Sequence, residues 1–455
     1  GKSLKEIANG RRSPDGKRDP LPVEQACAYG IEALEALGHL HSRNLLYCDF
    51  KVDNAIQTED QLKLIDMGAV RRMDDEESAI YGTVGYQAPE VAEVGPSIAS
   101  DLYTVARTLA VLSFDFQGYT NVFVDSLPDP DNIEVFRRYE SFYRLLVRAT
   151  DPDPARRFAS AQEMSEQLTG VLREVVSLQS GRARPALSTL FGPELKVTDT
   201  ELFPKLDGEV SRLGARAVQP KARQNQLTPS VNGTPTLVKP VATPAAALAL
   251  PVPRVDPTDP NAGFLAGLMT TAPPELLGAL AAAPSSSTET RLRQIRAWLE
   301  NGDSYTALEA LLNVEQERPD DWRVVWYRGV AALVTGDHEG AALAFDAIYD
   351  AFPGEPAPKL ALGLCAEVLG QLDNAAEYYR LVWSTDPSYV SAAFGLARVQ
   401  LATGDRQGAV RTLESVPEAS IHYTAARVAA VRARLRQRVA APDDTPFLDD
   451  LTAAA

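Results

Sequence analysis

The chain has 455 residues, of which 45% are hydrophobic, so it is long enough for two or three globular domains. Its formal net charge of -16 excludes nucleic acid or an anionic membrane as the main partner, since both require a cationic surface. No run of about twenty apolar residues predicts a membrane span, and three cysteines without a close pair indicate a reducing, cytoplasmic location and no disulfide framework.

Residues 1–180 mix amphipathic helices with short apolar strands, which predicts a mainly α fold with a small β component. A helix is predicted over 23–41, because apolar side chains recur on one face at spacings of four, three and three. These side chains are Cys27, Ile31, Leu34 and Leu37. A short strand is predicted over 62–65, where it enters a turn that begins at Asp66.

Four polar residues in this region have the types and the order that phosphoryl transfer from ATP requires. Lys51 and Asn54 lie two and five residues after Asp49, and Asp66 lies 17 residues after it. A carboxylate is needed to accept the proton of the attacking hydroxyl, and a cation to meet the phosphate, which predicts Asp49 and Lys51 as catalytic residues. Oxygen ligands are needed for Mg²⁺ or Mn²⁺, which predicts that Asn54 and Asp66 bind the metal and its ATP.

These residues and the segments after them resemble the eukaryotic-like protein kinase superfamily. The segment Gly82-Thr-Val-Gly-Tyr-Gln-Ala-Pro-Glu90 is similar to the end of a kinase activation segment, and the segment 153–157 to a late loop of the large lobe. The resemblance implies that Thr83 hydrogen-bonds Asp49 and Lys51. It also implies structural roles for three residues: Glu90 and Arg157 as an ion pair, and Asp101 as a loop anchor in a buried helix over 101–112.

The loop also indicates the acceptor and departs from the superfamily at one position. Lys51, two residues after the catalytic Asp, and Thr83 are typical of serine/threonine kinases. Cys48 stands where these kinases usually have an Arg that binds a phosphate on the activation segment. We therefore hypothesise that phosphorylation of Ser78 or Thr83 is not the switch that activates the site.

A Gly-rich phosphate loop and a strand Lys for ATP are missing from the sequence before Asp49, and residues 1–4 resemble the hinge that follows the small lobe of a kinase. We expect the chain to be a piece of a longer protein whose small lobe lies upstream. The alternative is a catalytically inactive scaffold that combines a kinase lobe with helical repeats.

A Pro- and Ala-rich linker is predicted over 181–287, followed by helical repeats over 288–440 and a tail over 441–455. A 34-residue period defines the repeats in several residue types, with predicted units at 288–321, 322–355, 356–389 and 390–423 and a closing helix after them. The periodic positions are Gly302, Gly336, Gly370 and Gly404; Ala307, Ala341, Ala375 and Ala409; Leu311, Phe345, Tyr379 and Leu413; and Pro319, Pro353 and Pro387. The period resembles the tetratricopeptide repeat, an α-solenoid of antiparallel helix pairs.

Together the Tyr-Cys-Asp loop, the Asp-Met-Gly turn, the linker and the repeats are similar to the actinobacterial soluble protein kinase G family. The resemblance implies a cytosolic serine/threonine kinase with a rubredoxin-like module and a small lobe upstream. It also implies an FHA-domain regulator of 2-oxoglutarate and glutamate metabolism as the protein substrate. The repeats are expected to recruit the substrate or to join two chains in a homodimer. Their aromatic residues are expected to be mainly core, and the alternative is that an exposed subset lines a concave peptide groove.

Overall fold

The structure is a computed structural model that describes residues 1–205, 237–437 and 445–455. It is mainly α-helical, with a kinase-like lobe at the amino-terminal end and a helical solenoid after it. The central part of the predicted linker, the end of the predicted closing helix and the start of the predicted tail lie outside the described residues.

The lobe contains seven helices and two small antiparallel sheets. The helices are α1 (Leu4–Asn9), α2 (Val23–Ser42), α3 (Val91–Val94), α4 (Ile98–Ser113), α5 (Glu134–Arg138), α6 (Glu140–Ala149) and α7 (Ala161–Ser180). The strands are β1 (Lys2–Ser3), β2 (Leu45–Leu46), β3 (Ala55–Gln57), β4 (Leu62–Leu64) and β5 (Arg71–Arg72). Strand β3 lies between β1 and β4, and β2 pairs with β5 so that Leu46 faces Arg71.

Helix α4 forms the centre of the lobe, because almost all of its residues are buried, polar ones included. Its first turn has a capping box at Ser97, which explains why the helix begins three residues before Asp101. Helices α2 and α7 pack beside it, and Gly30 of α2 allows this close approach. A Cβ atom at Gly30 would lie 2.8 Å from Leu109 and 2.9 Å from Leu168.

The solenoid consists of helix pairs whose bounds follow the predicted 34-residue units. The helices are α11 (Thr288–Glu300), α12 (Ser304–Glu317), α13 (Trp322–Thr335), α14 (His338–Ala351), α15 (Pro356–Val368), α16 (Leu372–Thr385), α17 (Val390–Ala402), α18 (Arg406–Glu414), α19 (Tyr423–Leu435) and α20 (Thr445–Ala454). The periodic glycines come directly after or close to the end of the first helix of each pair and have positive φ, for example 92° at Gly336. This left-handed conformation is the reason for glycine at these positions.

Large side chains of the second helices pack against glycines of the first helices. Phe345 fills the space at Gly329, where a Cβ atom would lie 2.7 Å from its ring. Tyr379 occupies the same kind of space at Gly363 and Gly395. Because each large side chain needs a small partner one helix away, the period fixes both the spacing and the packing of the pairs.

The predicted linker is more ordered than its composition indicates. It contains α8 (Thr243–Ala249), α9 (Ala262–Ala266) and α10 (Pro273–Ala281). Two segments, the irregular stretch 187–205 and the stretch 237–250 that includes α8, lie along the first helices of the repeats. We call these two segments the strap. Phe191 of the strap packs with its ring centroid 4.7 Å from Trp326 and 5.3 Å from Trp322.

The strap therefore covers part of the first helices of the repeats, where an exposed subset of aromatic residues could otherwise line a peptide groove. Near the far end of the solenoid, Leu202 and Phe203 are buried against Phe394 of α17. The prediction of a simple linker missed these contacts because isolated aromatic residues in a Pro- and Ala-rich segment have no periodicity. Their burial depends on the surface that they meet.

The lobe packs directly against the solenoid, where α6 and α7 contact α14 and α16. At the centre, Glu174 accepts hydrogen bonds from Ser141 (2.7 Å) and from Lys359, with 4% and 3% of the Glu174 and Lys359 side chains exposed. Arg144 lies 4.1 Å over the ring of Tyr349. This buried, fully paired charge cluster holds the two regions in one fixed arrangement.

Candidate active site

The loop after β2 is held by Asp101, a completely buried residue of α4. The carboxylate accepts hydrogen bonds from the backbone N–H groups of Tyr47 (3.0 Å) and Cys48 (2.8 Å). His41 contacts the same carboxylate through Nε2 at 2.8 Å. Asp101 thus occupies the place of a loop anchor, and the structure adds His41 as its third partner.

Cys48 has a positive φ of 70°, which is uncommon for a side chain with a Cβ atom. The bond from its N–H to Asp101 holds it in this strained conformation and turns the chain toward Asp49. Burial raises the pKa of the Cys48 thiol to about 12, and the Asp101 carboxylate adds to the rise. The thiol is therefore protonated at neutral pH, which argues against a redox-sensing thiolate.

Asp49, Lys51, Asn54 and Thr83 form one hydrogen-bonded cluster. Thr83 donates its hydroxyl to Asp49 Oδ1 (2.6 Å) and accepts a bond from Lys51 Nζ (2.8 Å). Lys51 Nζ also lies 3.2 Å from Asp49 Oδ2. Asn54 donates its amide to the backbone oxygen of Asp49 at 2.8 Å. The activation segment is thereby joined directly to the loop that bears the carboxylate.

Asp66 lies beside this cluster, exposed to solvent and with φ at 60°. The backbone N–H of the preceding Ile65 donates to the backbone oxygen of Asn54 (2.9 Å), which brings Asp66 next to Asn54. The Asn54 amide nitrogen is directed at Asp49, so its oxygen points elsewhere. A carboxylate and an amide oxygen are hard ligands that fit Mg²⁺ or Mn²⁺.

The end of the activation segment is attached to the lobe by a second buried charge. Arg157, whose side chain is fully buried, binds Glu90 through two hydrogen bonds of 2.6 and 2.9 Å. It also donates to the backbone oxygen of Asp151 (2.8 Å). This bidentate pair connects the end of the activation segment to the late loop.

Sequence reasoning missed Arg107, a fully buried residue in the middle of α4. Its guanidinium donates to backbone oxygens of Gly85 (2.7 Å), Ser126 (2.7 Å) and Phe123 (2.6 Å). It therefore holds the chain just after Thr83 against the central helix. The signal in the sequence was a single Arg within an otherwise apolar helical run.

Two family models match the chain. The family model for the protein kinase G tetratricopeptide repeat matches residues 223–453, and the protein kinase domain model matches residues 2–182. The chain belongs to the protein kinase G family. The repeat match begins before residue 288, within the segment that the sequence predicted as linker.

Two curated relatives are similar over nearly the whole chain. A serine/threonine-protein kinase PknG from Mycobacterium leprae is 44% identical over 446 residues, which is 94% of this chain and 54% of the relative. A protein of the same name from Mycolicibacterium smegmatis is 41% identical over 441 residues, covering 93% of this chain and 54% of the relative. The chain thus spans about half the length of these relatives.

Across the described residues, every helix is too short or too polar to cross a membrane.

Proposed function

We propose that this chain supplies the catalytic large lobe of a serine/threonine protein kinase that transfers the γ-phosphate of ATP to protein hydroxyls. The observation that supports this most strongly is the hydroxyl of Thr83, which contacts both Asp49 and Lys51. This contact supports the proposal because it joins the activation segment to a carboxylate and a cation. Solvated loop residues without a common function have no reason to form such a cluster across 34 residues of sequence.

Each residue of the cluster has a role in this proposal. Asp49 accepts the proton of the attacking hydroxyl, and Lys51 offsets the negative charge that the transferring phosphate carries. Asn54 and Asp66 hold Mg²⁺ or Mn²⁺, which when bound neutralises the phosphates of ATP. Thr83 keeps Asp49 and Lys51 at hydrogen-bond distance from each other.

For the repeats, we propose that they recruit the protein substrate, an FHA-domain regulator by resemblance, or join two chains in a homodimer. Since the strap lies along the first helices of the repeats, recruitment uses the surfaces that the strap leaves exposed or requires the strap to move. Deleting 288–440 is expected to preserve transfer to a short peptide and to slow transfer to the protein substrate. The three free cysteines, two of them buried, support a cytoplasmic location.

The test is transfer of labelled γ-phosphate to matched Ser, Thr and Tyr peptides by the longer protein that includes the small lobe. Asp49→Asn is expected to lower kcat by about 10²- to 10⁴-fold, because the proton acceptor is lost. Asp53→Asn is the control, since Asp53 lies in the same loop but pairs with Lys5 at the surface. Equal loss in both variants, or transfer to Tyr alone, would contradict the proposed function. A wild type that transfers no phosphate would favour the inactive scaffold.

A further inference from the structure

Arg71 lies beside the position where the sequence lacks the usual loop Arg. It pairs with Leu46 between strands β5 and β2, and Leu46 lies two residues before Cys48. Only 9% of the Arg71 side chain is exposed. Its positive charge acts on the Cys48 thiol and opposes the rise in pKa that burial and Asp101 produce there. A cation therefore lies next to Cys48, although it comes from a different strand.

The Arg71 guanidinium binds the activation segment that follows β5. It donates to the backbone oxygen of Ser78 (3.2 Å) and to the backbone oxygen of Asp75. Its charge is also 3.9 Å from the Asp75 carboxylate. One mostly buried side chain thus contacts the segment at two points, which lie five and eight residues before Thr83.

The Asp75 carboxylate organises the same stretch of backbone. Oδ1 accepts the N–H groups of Glu77 (3.0 Å) and Ser78 (2.9 Å), and Oδ2 accepts the hydroxyl of Ser78 (2.5 Å). The Ser78 hydroxyl and its backbone N–H hold the pKa of Asp75 below its ordinary value, so the group is ionised at neutral pH. The activation segment thus contains its own anion, the Asp75 carboxylate, and Arg71 supplies the opposite charge.

We propose that Arg71 is a positioning residue that fixes the activation segment through Asp75 and Ser78 without a phosphate. In kinases switched by phosphorylation, a phosphate on the segment binds a basic pocket beside the catalytic loop. In this chain the Asp75 carboxylate fills that role from within the segment. The proposal rests on the proposed function and adds its regulation: a phosphate on Ser78 would meet the Asp75 carboxylate and loosen the segment.

The first experiment measures hydrogen exchange at the amides of 73–83 in the chain described. Arg71→Met is expected to speed exchange at Glu77 and Ser78 by about tenfold or more, because their backbone is no longer held. Arg72→Met is the matched control, since the neighbouring Arg72 binds Asp74 at the surface, with 72% of its side chain exposed. The amides of 73–83 in Arg72→Met should exchange at the wild-type rate.

The second experiment measures kinetics in the longer protein with the small lobe. Arg71→Met is expected to lower kcat/KM for a Ser peptide about tenfold while KM for ATP stays unchanged, because Asn54 and Asp66 are not touched. Arg71→Lys should restore part of the loss, since it keeps the charge. Ser78→Ala should retain activity, and Ser78→Glu should lose it.

Wild-type exchange in Arg71→Met would overturn the proposal, as would faster exchange with unchanged kcat/KM. Activation by Ser78→Glu would also overturn it, because phosphorylation would then be the switch. If the wild type transfers no phosphate, the proposed function fails, and the exchange experiment still decides whether Arg71 fixes the segment.

Discussion

The kinase lobe and the solenoid keep their shapes by different means. In the lobe, single buried charges such as Asp101, Arg107 and Arg157 each hold several loop atoms. In the solenoid, large residues pack against small ones at repeated positions, as Phe345 does against Gly329. An irregular loop structure needs specific polar contacts, whereas a periodic structure can repeat one apolar contact.

Some buried charges of the solenoid, such as Arg398 with Glu367, pair within the repeats, and others lie where the repeats meet a part of the chain that does not repeat. Lys359 binds Glu174 of the lobe, Glu355 accepts a hydrogen bond from Ser188 of the strap, and Arg296 donates to Leu248 of the strap. These three buried charges attach the solenoid to the lobe and to the strap. The comparison predicts that such sites respond to mutation as lobe residues do.

The largest expected effect is at the boundary between the two regions. Lys359→Met removes one partner of a buried pair and leaves Glu174 charged, which should lower the free energy of unfolding by about 3–5 kcal/mol. Urea denaturation measures this. Arg291→Met is the control, because the partner of Arg291 is mostly exposed, and it should change stability by less than about 1 kcal/mol. Equal losses would remove the distinction between attachment sites and surface pairs.

The second effect is in the candidate active site of the lobe. Thr83→Val keeps the shape of the side chain but removes the hydroxyl that joins Asp49 to Lys51. We expect kcat to fall by about 10- to 100-fold in the longer protein, as for the loss of a hydrogen bond to a charged group. Thr83→Ser should retain most activity. Equal rates for the Val and Ser variants would show that the hydroxyl has no role.

The third effect concerns Glu194, where the strap meets the N-terminus of α17. Burial raises its pKa to about 7, although the N–H of Ser391 opposes the shift. Because the folded pKa is above the unfolded value, its contribution to stability is present below about pH 4.5 and is lost as pH rises through about 7.

Replacing this group with a neutral one should remove that pH dependence. Relative to the wild type, Glu194→Gln is expected to gain on the order of 1–2 kcal/mol between pH 5 and pH 8, after allowance for solvent screening. Urea denaturation at both pH values measures the gain. Parallel pH profiles of the two proteins would contradict the assigned charge state.

The smallest effect tests the periodic glycines. Gly336→Ala places a Cβ atom on a residue with φ at 92°, which should cost about 1 kcal/mol. Gly278→Ala is the matched control, because Gly278 lies inside α10 with open space around it, and the same change should stabilise the helix slightly. Equal signs for both changes in thermal unfolding would mean that backbone conformation does not explain the period.

Periodicity and motif order were sufficient to predict much of the architecture. The 34-residue register placed the helix pairs of the repeats, because spacing alone determines which residues meet between neighbouring helices. The order of Asp49, Lys51 and Asn54 predicted residues that the structure brings together. Their catalytic and metal-binding roles stay predictions that the experiments above test.

Contacts between distant parts of the chain were not predictable in the same way. The strap and the lobe–solenoid interface depend on surfaces that exist only after folding. The sequence did contain one sign of the lobe–solenoid interface at Lys359, because the equivalent positions one period away are the apolar residues Val325 and Ala393. A charge at an otherwise apolar repeat position indicates a partner, but it does not identify Glu174.

The strap also changes what is expected of the folding of this solenoid. Isolated repeat arrays form contacts between neighbouring units and can fold from any unit outward. Here Phe191 must reach α13, and Leu202 must reach α17, across more than 130 residues of sequence. Such contacts raise the contact order, so the array should fold more slowly and unfold in a single cooperative step.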